Sequence, residues 1–405
     1  MTENQKSITP RKRVAAALSH EQPDRTPVDF LAVPEIWQML TGTDSLAEKP
    51  ADNEFFDPDW ENLLQELQID CRVISYDQFC APPKSILKPH AVVDWYGSLA
   101  RSTPNRMWRQ RTPDGTIHDI WGRHFEVFQH PSGEFEELSA YPLGSADTVS
   151  DVEAHIWPEP DWWDFSGVPE LLSKLDSGGE YHLRYRIGSV FEVAWQLYGL
   201  EAFLMALAIN PEVPGRIMHK LTDVYVEITD HFLETAGNRI DMVYFYDDIA
   251  TQNSLLISKA MWAEYIRPHH ARLIEIAKKH GKPVMYHSDG ALYPLLPDLI
   301  ELGIDLLNPL QTDASGMNPE KLKAEYGNRL SFHGGIDIAQ TLPFGTPEEV
   351  KEEVQSRIKV LGKNGGYIMA SSHHIQANTP PENIRAMYDP AVRKVFSSQE
   401  TWFNG

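Results

Sequence analysis

The sequence predicts an α/β fold, a closed (β/α)8 TIM barrel with a β-hairpin insertion after the second strand. Three observations predict it. Eight short apolar runs recur along the chain, helical patterns fill most gaps between them, and several runs stop on polar residues able to do chemistry. A doubly wound open sheet is the competing architecture. Residues 1–405 are expected to form one such domain, with the insertion at 94–140 over the barrel mouth.

Thr9-Pro10 supplies an N-cap and a first helical position, and Val14, Ala15, Ala17 and Leu18 give a short amphipathic helix that ends before Pro23. Pro27-Val28-Asp29-Phe30 reads as the first strand. Residues 35–68 look helical in patches, interrupted by a loop around Pro50, and lead to a second strand at 71–76 closed by Asp77. Between 94 and 140 the texture becomes aromatic and polar, and Pro113-Asp114-Gly115 is a turn signal between 106–111 and 116–128, hence the hairpin. Residues 141–165, rich in Pro, Trp and Asp, read as a linker. The remaining strands are expected at 182–188, 242–247, 283–287, 305–309, 330–334 and 366–370, with helices at 192–209, 214–236, 258–280, 292–302, 319–325, 346–361 and 381–388.

Composition limits the partners. Hydrophobic content of 42%, with 11 Trp, 15 Tyr and 16 Phe, can build a large core. A net charge of −22 argues against nucleic acid or an anionic membrane as partner, and Arg11-Lys12-Arg13 reads as a solvated face rather than a basic patch. Cys71 and Cys80 alone are too few for a disulfide framework or a thiolate metal cage. With a polar start and no apolar run of about 18 residues, neither a signal peptide nor a membrane span is expected, and the reading is cytoplasmic.

Working residues of a barrel sit at the carboxyl ends of its strands. The run Pro283-Val284-Met285-Tyr286 stops at His287-Ser288-Asp289-Gly290, and on a strand His287 and Asp289 would share a face. His373 follows the last strand. Two imidazoles and one carboxylate with open positions suit a divalent ion such as zinc or iron. The competing reading is a capped strand end whose Asp289 takes the backbone donors of a turn. Of the adjacent Asp247 and Asp248, one is expected at the rim and the other as a cap or turn residue. Asp77 and Glu192 are expected as rim acids, although Asp77 also reads as an ordinary turn aspartate and Glu192 also suits a helix N-terminus electrostatically. His118, Trp121, Arg123 and His124 on the insertion suit a lid or simple packing. Gly334-Gly335 is a weak anion signal, and neither a Walker loop nor a dinucleotide fingerprint is present.

These residues resemble the uroporphyrinogen decarboxylase superfamily, which includes corrinoid-linked methyltransferases. The resemblance rests on Arg13-Val14-Ala15-Ala16-Ala17-Leu18, Pro23-Asp24-Arg25-Thr26-Pro27-Val28, Asp247-Asp248, the His287 stretch, Gly303-Ile304-Asp305-Leu306-Leu307-Asn308-Pro309 and His333-Gly334-Gly335-Ile336-Asp337, and covers nearly the whole chain. It implies a (β/α)8 barrel and a homodimer. Asp77 falls where the decarboxylase keeps its pyrrole-binding aspartate and His373 matches its late histidine. In place of that enzyme's arginine-rich loop stands Phe30-Leu31-Ala32-Val33-Pro34-Glu35, which would not neutralise a polyanionic tetrapyrrole. Against the methyltransferases, His287 matches the histidine of a His-x-Cys zinc element, Asp289 replaces its cysteine, and His373 stands at the second cysteine. The resemblance therefore implies methyl transfer from a small O-methyl donor, methoxy-aromatic for example, to a corrinoid protein or cobalamin carrier. On that reading His287, Asp289 and His373 hold a divalent metal, zinc foremost, and Glu192 or Asp248 adds a fourth ligand or a proton. Asp77, Arg72, Tyr246 and His333 orient the donor, and Trp121 and Arg123 cover it. Two alternatives stay open: a metal-free decarboxylase or lyase for a smaller acid, with Asp77 and His373 doing proton work, and a non-enzymatic corrinoid- or tetrapyrrole-binding protein.

Overall fold

Seven apolar runs pair in chain order into one parallel sheet: β1 (Cys71–Ser75), β2 (His182–Arg186), β3 (Met242–Tyr246), β4 (Val284–His287), β5 (Leu306–Leu310), β6 (Ser331–Ile336) and β7 (Tyr367–Ser371). The computed structural model describes residues 8–42, 58–94, 108–130 and 133–393. Every residue of β2, β5, β6 and β7 is buried, as expected for parallel strands covered on both faces.

The expected first strand is present only as single bridges, Val28 to Met369 and Ala32 to Ile375. Pro27 and Pro34 lack the N–H that a longer ladder needs. Asp29 N–H still donates to Met369 O (3.0 Å), and Asp70 N–H to Val28 O (3.0 Å), so this stretch lies between β7 and β1. The architecture is α/β and TIM-barrel-like.

Thr9 accepts a bond from Lys12 N–H and Pro10 opens the helix Pro10–Leu18. Its Val14 packs with Cys71, Met242, Met285, Leu306 and Ile368, residues at the starting ends of five strands. This helix therefore closes the floor, and the polar strand ends gather at the opposite rim.

Helices follow the strands: Glu212–Ala236 after β2, Arg267–Lys279 after β3, Leu296–Leu302 after β4, Pro319–Tyr326 after β5, Pro347–Leu361 after β6 and Pro381–Met387 after β7. The helix expected over 192–209 is instead two, Phe191–Tyr198 and Leu200–Ile209, bent by 104° at Gly199. Gly199 has φ 95°, a conformation that glycine adopts without steric cost. Among the described residues, no single helix is long and apolar enough to cross a membrane.

The insertion differs from a lone hairpin. Val92–Asp94, Arg109–Arg111, Ile117–Asp119, His124–His130 and Gly133–Ala140 form a five-stranded antiparallel sheet. Pro113-Asp114-Gly115 turns the chain between the second and third of these, with Gly115 N–H bonded to Thr112 O. The start of the strand expected from Arg106, like the loop around Pro50, lies outside the described residues.

Candidate metal centre

β4 ends at His287, and the turn that follows depends on Gly290. Its φ is +89°, and a Cβ there would sit 2.4 Å from Thr251 O. Glycine alone fits, so the chain reverses tightly and returns Asp289 to the rim. Asp289 N–H donates to Asp248 Oδ1 (3.0 Å) and Gly290 N–H to Gln311 Oε1 (2.8 Å), which fixes the loop.

His373, two residues beyond β7, meets this loop. One donor atom each from His287, Asp289 and His373 lies within 4.8 Å of the others. His373 Nε2 is 3.4 Å from Asp289 Oδ2, and His287 Nε2 is 4.0 Å from Asp289 Oδ1 and 3.8 Å from Asp248 Oδ1. Asp289 Oδ1 is buried and has no hydrogen-bond partner among the described residues, an arrangement that costs free energy unless something else satisfies it. Burial and the neighbouring His287 lower the His373 pKa, outweighing Asp289, so at neutral pH the imidazole is in its ligating form. Burial raises the Asp248 pKa, with Asp289 adding to the effect and His287 opposing it. Two nitrogens, one or two carboxylates and an open side, His373 being 37% exposed, fit a divalent cation.

Asp247 serves the fold. Fully buried, it accepts from Ser189 Oγ (2.5 Å), from the N–H groups of Phe191 (2.9 Å) and Glu192 (2.8 Å), and bonds His270 Nε2 (2.8 Å). It thus caps the helix that carries Glu192. Glu192 has its pKa raised to about 8 by burial, then by Asp248 and Asp247, against Arg123. Gln196 Nε2 donates to Glu192 Oε1 (2.9 Å) while its Oε1 accepts from Arg123, which also binds Asp119 Oδ2 (2.7 Å). The insertion is therefore tied to Glu192 through one amide.

Asp77 Oδ2 takes bonds from Ser75 Oγ (3.1 Å) and Arg186 Nη2 (3.2 Å), whereas its Oδ1 is buried with no partner among the described residues. Beside it a small cavity is lined by Tyr76, Cys80, Trp108, Asp119, Ile120 and Trp121. Trp121 is itself buried and packs edge-on to Tyr225. The Tyr246 ring stands edge-on to His287 at 6.5 Å.

Two expected rim residues are elsewhere. Arg72 is buried against Glu61, with bonds of 2.7 and 2.8 Å, and lies over the Tyr181 ring. Cys71, next to it on β1, faces Arg184 and the floor, so strand alternation turns Arg72 to the helix side. His333 is completely buried, bonded to Asn308 on one side and Asp29 on the other, and cannot touch a ligand at the rim. The sequence reading missed the roles of Asn308, Asp29, Arg184 and Arg186. One signal was available: His182, Arg184 and Arg186 alternate within β2 and so share one face of a strand that must be buried.

The family model for uroporphyrinogen decarboxylase (URO-D) matches residues 164–394, more than half of the chain. The chain belongs to this family. Over 254 residues it is 27% identical to a methylated-thiol–coenzyme M methyltransferase of Methanosarcina mazei, spanning 60% of this chain and 63% of that protein. Over 223 residues it is 27% identical to a uroporphyrinogen decarboxylase of Thermus thermophilus, spanning 55% and 56%. The matches thus span less than two thirds of either relative. A methyltransferase structure from Methanosarcina mazei shares the URO-D chain's fold, with a TM-score of 0.59 at 17% identity over 95% of this chain and 98% of that one.

Proposed function

We propose that this URO-D family protein is a metal-dependent methyltransferase that takes methyl from a small O-methyl donor, a methoxy-aromatic compound foremost, and passes it to a corrinoid protein or a free cobalamin. The observation that carries this reading is the convergence of His287, Asp289 and His373 around a carboxylate oxygen that no described residue satisfies. A relative named for methyl transfer supports the reaction class. That relative's name refers to thiols, and thiol chemistry suits thiolate-rich zinc. Here Cys71 and Cys80 are buried and neither belongs to the cluster, so the harder nitrogen and oxygen donors favour an oxygen substrate.

His287, Asp289 and His373 would hold a divalent ion, zinc on our reading, which would supply Lewis acidity at the donor's ether oxygen. When the C–O bond breaks, its electron pair stays on that oxygen. Glu192, still protonated at neutral pH, is the acid for it. Asp248, 3.8 Å from His287 Nε2, would add a further ligand, and Asp77 with Arg186 orients the ring. Arg123 ties the insertion to Glu192 through Gln196, and Trp121 packs it against Tyr225. The methyl group leaves towards the exposed side of His373, where the acceptor reaches it.

A decarboxylase or lyase working without metal on a smaller acid is favoured by one observation, the buried Asp77 Oδ1, which has no partner among the described residues. Incubation with reduced cobalamin and a panel of methoxy-aromatic compounds separates the two, because methylcobalamin forms only on the first reading. His287→Ala should abolish it. Carbon dioxide release with no methylcobalamin from any donor would favour the second.

A further inference from the structure

Five side chains from five segments make one continuous buried chain. Arg184 Nη1 donates to Asp29 Oδ2 (2.5 Å), His333 Nε2 meets the same oxygen (2.9 Å), Asn308 Nδ2 meets His333 Nδ1 (2.5 Å), and His287 Nδ1 meets Asn308 Oδ1 (2.6 Å). The order of protons follows from its fixed end. Beside Arg184 the Asp29 carboxylate can only accept, so His333 Nε2 carries a proton. Burial lowers the His333 pKa against the pull of Asp29, which keeps the ring neutral and leaves Nδ1 as an acceptor. Asn308 must then give its NH2 to His333 and turn its carbonyl oxygen to His287. That oxygen can only accept, so His287 Nδ1 holds the proton.

We infer that Asn308, His333, Asp29 and Arg184 are positioning residues that fix His287 in the Nδ1–H tautomer and present Nε2 to the centre as a bare electron pair. A free histidine holds neither this tautomer nor this ring angle. Here both are set before any ion arrives, by a charge pair buried deep in the barrel. The inference rests on the metal-centre reading for its consequence, tighter metal binding. The tautomer can be read in the metal-free protein.

The test is long-range proton–nitrogen correlation NMR of the full chain labelled with 15N-histidine, with His287 assigned by the signal lost in His287→Gln, together with zinc affinity by chelator competition. We expect a protonated Nδ1 and a bare Nε2 in the wild-type protein. Asn308→Leu should release the ring to the Nε2–H form and weaken zinc binding ~10–100-fold, as loss of a ligand's outer partner does. Asn308→Asp, which in its protonated form keeps an acceptor for His287 Nδ1–H and a donor for His333 Nδ1, should restore both. A wild-type His287 protonated on Nε2 overturns the inference, and so does an Asn308→Leu protein with unchanged tautomer and affinity. Should Asn308→Leu not fold, the wild-type spectrum still decides. A correct tautomer in a protein that takes up no zinc upholds this inference and removes the metal-centre reading instead.

Discussion

His373 Nε2 lies 3.4 Å from Asp289 Oδ2, joining the loops after β7 and β4 at one rim. Both groups are partly exposed, so in the absence of an ion the pair contributes little to stability. On the metal-centre reading they would be ligands, and worth far more. Asp289→Asn keeps the shape and removes the charge, and we expect it to lower zinc affinity by more than the ~10–100-fold typical of an outer partner while shifting the denaturant midpoint only slightly. Chelator competition and urea unfolding read the two effects separately, and equal zinc affinity would show that Asp289 is not a ligand.

Glu192 sets a pH dependence with two signs to check. As the acid for the departing oxygen it acts only when protonated, so methyl transfer should fall as pH rises through about 8, and Glu192→Gln should flatten that limb at a lower rate. For stability, a carboxyl with a raised folded pKa costs nothing below its ordinary value of 4.5. The cost grows above that and levels off beyond about 8. Thermal unfolding of the wild type should therefore lose stability between those limits, on the order of a few kcal/mol at most, and the Gln variant should lose less. Parallel curves would rule out the raised pKa.

Arg72→Ala should cost stability and spare chemistry. The substitution leaves Glu61 buried without its partner, which typically costs ~3–5 kcal/mol. Turnover per folded molecule should match the wild type. A normal unfolding midpoint with a raised KM would return Arg72 to the rim.

Gly290→Ala forces a Cβ to within 2.4 Å of Thr251 O at a φ of +89°. Backbone strain alone costs ~1–3 kcal/mol. The larger effect should fall on zinc affinity, because the turn that returns Asp289 to the rim must move. Gly115→Ala, in open space at φ +92° on the insertion, should share the strain and leave zinc binding intact.

These contrasts show what the sequence could and could not reveal. Parallel strands buried on both faces announce themselves as apolar runs bounded by polar ends, so β1 to β7 and the rim position of His287, Asp289 and His373 were legible. The same uniform burial hides strand parity. In Cys71-Arg72-Val73 no alternation marks which side faces inward, so nothing local shows that Arg72 turns to the helix side. The break at Gly199 was hidden because the residues on both sides keep a helical pattern. Long-range pairing was beyond reach: nothing local in Pro27-Val28-Asp29-Phe30 shows that Asp29 meets Arg184 and His333, and Asn308 reads as an ordinary strand end until its two neighbours are known. Asp247 and Asp248 were separable in kind, one cap and one rim residue, but only the helix Phe191–Tyr198 seated on Asp247 says which is which.

Zinc content tests most directly whether the rim of this TIM-barrel-like sheet is a metal centre. Protein purified without chelator, measured by elemental analysis beside His373→Ala and Asp289→Asn, should carry close to one equivalent of divalent ion per chain in the wild type and much less in both variants, with methylcobalamin formation following the metal. A wild-type protein that is metal-free, takes up no zinc on titration and still transfers methyl at its full rate would contradict the metal-centre reading.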